Sequence, residues 1–236
     1  MNFFKTFLDI VYPKVCPFCD GVIPMKQHIC VKCASKVDFV KEPRCKKCGK
    51  PVIKEEQEYC EDCGDNRHLY NCGIASFVYS DVVKKSIYRF KYHNRRDYAV
   101  AYGNMIGNHF KREIDRWGAE ALIPVPIHRK KLHSRGYNQA KLLSDELSKI
   151  LNIPVDNQLL IRCNDTKPQK ELSVCERRRN LENAFKITEN VVKYRKIILV
   201  DDIYTTGSTI DACARVLLEC GVKEIYYISL SIGAGV

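Results

Sequence analysis

Hydrophobic positions divide the chain into three regimes. Over residues 3–11, Phe4, Phe7, Leu8 and Val11 recur at helical spacing and stop ahead of Pro13, which predicts a short amphipathic helix packed as a lid on the cysteine-rich region. From Cys16 to Cys63 the pattern breaks into short apolar fragments between cysteines, as it does where metal replaces a hydrophobic core. From Gly73 the pattern becomes regular. Apolar runs predict strands over 74–79, 121–125, 196–201 and 224–231. Helical spacing predicts helices over 81–92, 98–114, 139–151 and 208–220, the last closed by Gly221. Val100, Met105, Ile106 and Phe110 are expected on the inner face of the second. Alternating strand and helix predicts an α/β fold, a mainly parallel sheet flanked by helices, with ligands at the carboxyl ends of its strands. The change of regime places a small cysteine-rich module over 1–72 and the α/β domain over 73–236.

With 236 residues, 45% of them apolar, the chain has material for one good core and a small appendage. The apolar stretch over 2–12 is broken by Lys5 and Asp9 and lacks a basic leader and a small-residue cleavage site. Neither an export signal nor a membrane span is expected there, and a cytoplasmic location is the resulting expectation.

Eight of the 13 cysteines form four CxxC pairs, Cys16/Cys19, Cys30/Cys33, Cys45/Cys48 and Cys60/Cys63, separated by ten, eleven and eleven residues. In a reducing compartment such pairs are metal ligands, each knuckle offering two thiolates to a tetrahedral ion. Two structural zinc ions with filled ligand sets are expected. Pairing first with second and third with fourth is the simplest solution, and an interleaved arrangement also satisfies the spacing. Cys72, Cys163, Cys175, Cys213 and Cys220 are expected as small core hydrophobes. His28 and His68 are expected at the surface or just outside the metal ligands.

Charge sharpens the division. The formal net charge is +11, with 12 basic and 10 acidic side chains in residues 1–72 against 27 and 18 in residues 73–236. Zinc-bound thiolates make the first segment neutral or acidic, so a polyanion site belongs to the second. Residues 84–96 and 121–144 contain no acid, and Arg89, Lys91, Arg95 and Arg96 alternate with Tyr92 and Tyr98, the composition of a single-strand groove.

The sharpest signal lies between Ile197 and Thr209. Four apolar residues are followed by Asp201 and Asp202, and then a loop with Thr205, Thr206, Gly207, Ser208 and Thr209 leads into a helix. Backbone amides, hydroxyls and the positive helix end suit a phosphate, and Gly207 lets the backbone approach it closely. The two carboxylates suit ribose hydroxyls, directly or through Mg²⁺.

This segment resembles the thirteen-residue 5-phosphoribosyl 1-diphosphate (PRPP) signature of type I phosphoribosyltransferases. Joined to a double zinc-binding module, it resembles the ComF family of competence proteins over nearly the whole chain. The resemblance implies that Asp201 and Asp202 meet the ribose hydroxyls while the loop holds the 5-phosphate. It extends to Pro124-Val125-Pro126 and a diphosphate-side loop carrying Arg135, to Lys91 as a basic position near the start of the domain, and to a mobile loop over 167–185. Some nucleotide-salvage enzymes carry a carboxylate immediately before the Thr-Gly of this loop; here that position is Thr205, so the neighbourhood supplies no obvious general base. Three functions compete. One is a Mg²⁺-dependent glycosyltransfer to an unnamed acceptor. A second, implied by the resemblance, is a binding protein that handles single-stranded DNA beside the uptake machinery. The third is a zinc-dependent assembly adaptor.

Overall fold

A computed structural model describes residues 13–65, 67–163, 184–188 and 193–233. The helix predicted over 3–11, Cys175 and nearly all of the loop expected over 167–185 lie outside these residues.

The cysteine region uses one design twice. Each half begins with a tight turn closed by a single antiparallel bridge, Val15 with Val22 and then Arg44 with Pro51. Each then presents its second CxxC pair at a one-turn helix, α1 (Val31–Ala34) or α2 (Glu61–Asp65). The α/β part continues the chain as β1 (Cys72–Val78), α3 (Asp81–Tyr92), α4 (Tyr98–Trp117), β2 (Ala121–Pro124), α5 (Arg129–Arg135) and α6 (Gln139–Leu151). Beyond these come β3 (Leu160–Arg162), β4 (Phe185–Ile187), β5 (Lys196–Tyr204), α7 (Ser208–Glu219) and β6 (Glu224–Ile232).

The main sheet has the order β1-β6-β5-β2 and all its pairs are parallel. Strands covered on both faces must be apolar on both, and along β5 Ile198 and Val200 enter one core while Ile197 and Leu199 enter the other. The first core gathers α3, α4 and α6 together with Cys16, Phe18 and Cys33. The second gathers α7, the β3–β4 pair and Cys45, Cys48 and Cys60. The two cysteine clusters therefore straddle the β1 edge, one on each face. Val40 donates its amide to Ser76 O (2.9 Å) and Gly73 donates to Lys47 O (2.9 Å), so backbone bonds cross the junction between the cysteine region and β1.

Helix ends obey local chemistry. The Ser80 hydroxyl accepts from Val83 N at the start of α3. Asn138 caps α6 by accepting from Ala140 N (3.0 Å) and donates its amide to Val125 O (3.0 Å), which ties this helix to the end of β2. Helix α4 runs past the expected residue 114 to Gly118, because Trp117 stacks flat on Tyr226 with centroids 4.8 Å apart. Its inner face also differs from expectation. Ile106 and Phe110 are buried and Met105 packs at the edge of the core, but Val100 is 42% exposed. Close contact with α6 selects small residues instead: a Cβ at Gly103 would lie 2.5 Å from Glu146 Cβ. The short helix α5 and the antiparallel β3–β4 pair lie where the hydrophobic pattern predicts no element.

Candidate functional site

Strand β5 extends beyond the predicted residue 201, so both acids lie within its ladder, Asp201 opposite Ser229. Asp202 donates its backbone amide to Asp201 Oδ1 (2.8 Å). Burial, and then the negative charge of Asp202, push the Asp201 carboxyl up to about 7. Lys91 meets Asp202 Oδ2 at 2.7 Å. A crowded pair of carboxylates with oxygen donors and a cation already drawn to it fits a hard divalent ion such as Mg²⁺. Asp201 and Asp202 are the residues that would hold it, directly or through ribose hydroxyls.

Beyond Tyr204 the chain turns through Thr205 and Thr206 to Gly207, which is left-handed at φ +74° and serves as the N-cap of α7. Among the described residues no side chain caps this helix start, which leaves the first-turn amides to an anion. The Thr206 and Ser208 hydroxyls lie 2.8 Å apart, beside the Gly207 turn. Thr205 is exposed and Thr209 half-buried. The loop residues read from the sequence thus converge on the carboxyl end of β5.

Arg135, expected on the diphosphate side, is held by α3 and α6. It donates to Gln139 Oε1 (3.1 Å) and to the Tyr92 hydroxyl (2.9 Å), with its guanidinium 4.7 Å from the Tyr92 ring centroid. A cleft of about 690 Å³ opens nearby between the end of β2, α5, α6 and β3. Its walls are mainly apolar, from residues such as Pro124, Leu142 and Leu160, with Arg129, Lys141 and Arg162 on the lining.

The cations expected on DNA are not presented as a free set. Arg89 and Arg95 both reach Asp20 of the first cysteine turn, at 3.1 and 2.6 Å, and Tyr98 donates its hydroxyl to the same carboxylate. Lys91 belongs to the acidic pair. Arg96 packs on the Tyr137 ring at 4.7 Å and donates to Asn94. The sequence shows no acid between 84 and 96; Asp20, 69 residues before Arg89, supplies it through the fold. Tyr98 is buried, whereas Tyr92 is exposed.

The cysteines pair sequentially. Cys16, Cys19, Cys30 and Cys33 form one group and Cys45, Cys48, Cys60 and Cys63 the other, with all sulfurs of a group within 4.8 Å of one another. Cys19 and Cys30 sulfurs lie 3.7 Å apart, and Cys48 and Cys60 sulfurs 3.5 Å, against the ~3.8 Å edge of a zinc tetrathiolate with 2.3 Å bonds. Backbone amides aim at sulfur, as Cys33 N does at Cys30 Sγ (3.4 Å) and Cys48 N at Cys45 Sγ (3.5 Å). Donor number, softness and spacing fit one structural zinc per group.

His68, expected at the surface or just outside the metal ligands, is instead buried beneath the phosphate loop, with Nδ1 2.7 Å from Asp211 Oδ2. Its lone position in a loop carries no signal of this contact. His28 lies half-buried at the first cysteine group, with Nδ1 3.2 Å from Lys14 Nζ.

Fold and site define a phosphoribosyltransferase-fold domain with a double zinc ribbon at its amino-terminal end. Family models agree: a double zinc ribbon domain matches residues 7–64 and a phosphoribosyl transferase domain matches residues 135–231. Competence protein F of Haemophilus influenzae is 46% identical over 45% of the chain and 47% of its own length. The DNA utilization protein YhgH of Escherichia coli O157:H7 is 33% identical over 62% of the chain and 66% of its own length. Competence protein ComFC of Bacillus subtilis is 32% identical over 61% and 57%. The chain thus aligns with about half to two thirds of the length of these relatives. It belongs to the ComF family. Among the described residues no helix is long and apolar enough to cross a membrane.

Proposed function

We propose that this protein binds PRPP, or a related ribose 5-phosphate, together with Mg²⁺, and that it acts in the cytoplasm in handling single-stranded DNA during DNA uptake. The observation that carries the ligand is the succession of an acidic pair at a strand end, a left-handed Gly207 and an uncapped helix start within eight residues. The loop amides and hydroxyls take the 5-phosphate, and Asp201 and Asp202 take the ribose hydroxyls. Asp201 and Asp202 would hold Mg²⁺, which would supply positive charge against the diphosphate, and Lys91 keeps its contact with Asp202 beside them. The DNA role is supported by the names of the relatives, which include competence and DNA utilization proteins, and by the surplus of cations in residues 73–236.

The 690 Å³ cleft favours a second reading, in which an acceptor base is seated there and diphosphate leaves toward Arg135. Thr205 supplies no carboxylate to help such a transfer, so binding is the better supported half of the proposal. Calorimetric titration with PRPP and Mg²⁺ tests both. Saturable binding lost in the Asp201→Asn, Asp202→Asn double variant supports the site, and unchanged affinity in that variant refutes it. Release of diphosphate on adding candidate bases marks an enzyme.

A further inference from the structure

Residues 67–71 link the second cysteine group to β1 and pass directly beneath the phosphate loop. The His68 side chain is only 2% exposed, and since a carboxylate only accepts, Nδ1 carries the hydrogen that it donates to Asp211 Oδ2. Leu69 N donates to the other oxygen of Asp211 at 2.8 Å. Asp211 stands in the first turn of α7, where an uncompensated negative charge opposes an incoming phosphate. The 67–71 segment therefore occupies both oxygens of the acid at the anion-binding end of this helix.

The same ring supports the loop backbone. A Cβ at Gly207 would lie 2.6 Å from the Tyr204 hydroxyl and 2.8 Å from His68 Cε1, so the turn rests on these two side chains. His68 stacks on Tyr70 at 4.9 Å, the Tyr70 and Tyr204 hydroxyls are 2.6 Å apart, and Tyr204 lies flat on Tyr227 at 4.8 Å. Tyr227 donates its hydroxyl to Cys48 O in the second cysteine turn. Nε2 of His68 is buried with no partner among the described residues, a cost that the other contacts of the ring must offset.

We infer that His68 is a positioning residue of the phosphate loop: it seats Gly207 and masks Asp211, so that affinity for a 5-phosphate depends on a residue contributed from the zinc-ribbon side of the chain. The binding half of this inference rests on the ribose-phosphate reading; the loop-order half does not.

The test uses the zinc-loaded full chain and its His68→Ala and His68→Asn variants, since an Asn amide places a donor close to the position of Nδ1. Three quantities are read: hydrogen exchange over residues 203–212 without ligand, calorimetric affinity for ribose 5-phosphate with Mg²⁺, and zinc per chain. The expected result for His68→Ala is faster exchange confined to the loop, affinity about tenfold weaker from loss of a charge-assisted hydrogen bond, and unchanged zinc. His68→Asn should recover most of both losses. Unchanged loop exchange in His68→Ala, or His68→Asn as impaired as His68→Ala, overturns the inference. Should His68→Ala fail to fold, Asp211→Ala breaks the same contact from the helix side, and faster loop exchange again supports the inference while unchanged exchange overturns it. If the wild-type chain binds no ribose 5-phosphate, the ribose-phosphate reading falls, and the exchange arm still decides for or against His68.

Discussion

Asp201 should make the ligand-free protein less stable as pH rises from about 4 to about 7, and replacing it with Asn should remove that loss. An unfolded Asp releases its proton near 3.8, whereas burial and Asp202 hold the folded carboxyl protonated to about 7. Between these limits the folded chain binds more protons than the unfolded chain, so stability falls with rising pH. The contribution of the group is complete below the lower limit and gone above the upper one. A displacement from 3.8 to about 7 is equivalent to about 4 kcal/mol. Roughly half of that, about 2 kcal/mol, is spent between about pH 5.5 and pH 8, a range chosen to keep the thiolate ligands bound to zinc, and relaxation around the partly exposed carboxyl reduces it to about 1 kcal/mol. Melting curves in Mg²⁺-free buffer should therefore show Asp201→Asn gaining about 1 kcal/mol on the wild type across that range, or about 2–4 °C for a chain of this size. Adding Mg²⁺ and ribose 5-phosphate at the upper pH should stabilise the wild type and leave the variant unmoved, since the ionised carboxylate that costs stability is the one the ligand uses. A gap that does not change with pH refutes the argument. A wild type that gains on the variant as pH rises also refutes it, and means that Lys91, 2.7 Å from Asp202, governs the pair.

Elemental analysis of unchelated protein should give two zinc ions per chain; a value near one breaks the assignment of eight ligands, and none removes the metal module altogether. Single-stranded DNA should bind the full chain with an affinity that falls with salt, by a log-log slope of roughly 0.7 per phosphate neutralised. Arg96→Ala should lower that slope, while Arg89→Ala and Arg95→Ala should lower the melting temperature, because each leaves Asp20 short of a partner; equal effects of the three on the slope contradict this division.

The features legible along the chain are the local ones. The helices over 81–92 and 139–151 match α3 and α6 because Ser80 and Asn138 cap them from the adjoining position. Ile197 to Val200 reads as a strand because both faces of β5 are covered, which removes the alternation a half-exposed strand would show. The proposed phosphate loop and the acidic pair stand out along the chain for a similar reason, since both lie within a single strand-turn-helix. The β3–β4 pair leaves no trace, since each strand has three residues and 22 residues separate them, too far for a turn signal to join. The α4 face departs from expectation at Val100 because apolar spacing does not register Gly103, whose value is the backbone approach it permits.

The site shows the same boundary between local and distant. Asp202 meets Lys91, Asp211 meets His68, and Arg89 meets Asp20, each across a separation that periodicity and motif spacing do not span. In two of these three contacts the distant partner comes from the cysteine region or the segment leaving it. Asp20 meets Arg89 on the helix that delivers Lys91 to the acidic pair, and His68 meets Asp211 at the start of the helix proposed to receive the phosphate. The two contacts fall on elements that lie on opposite faces of the sheet. Contacts thereby run from the first cysteine group to α3, which carries Lys91, and from the second to the turn before α7 through Tyr227, Tyr204 and His68.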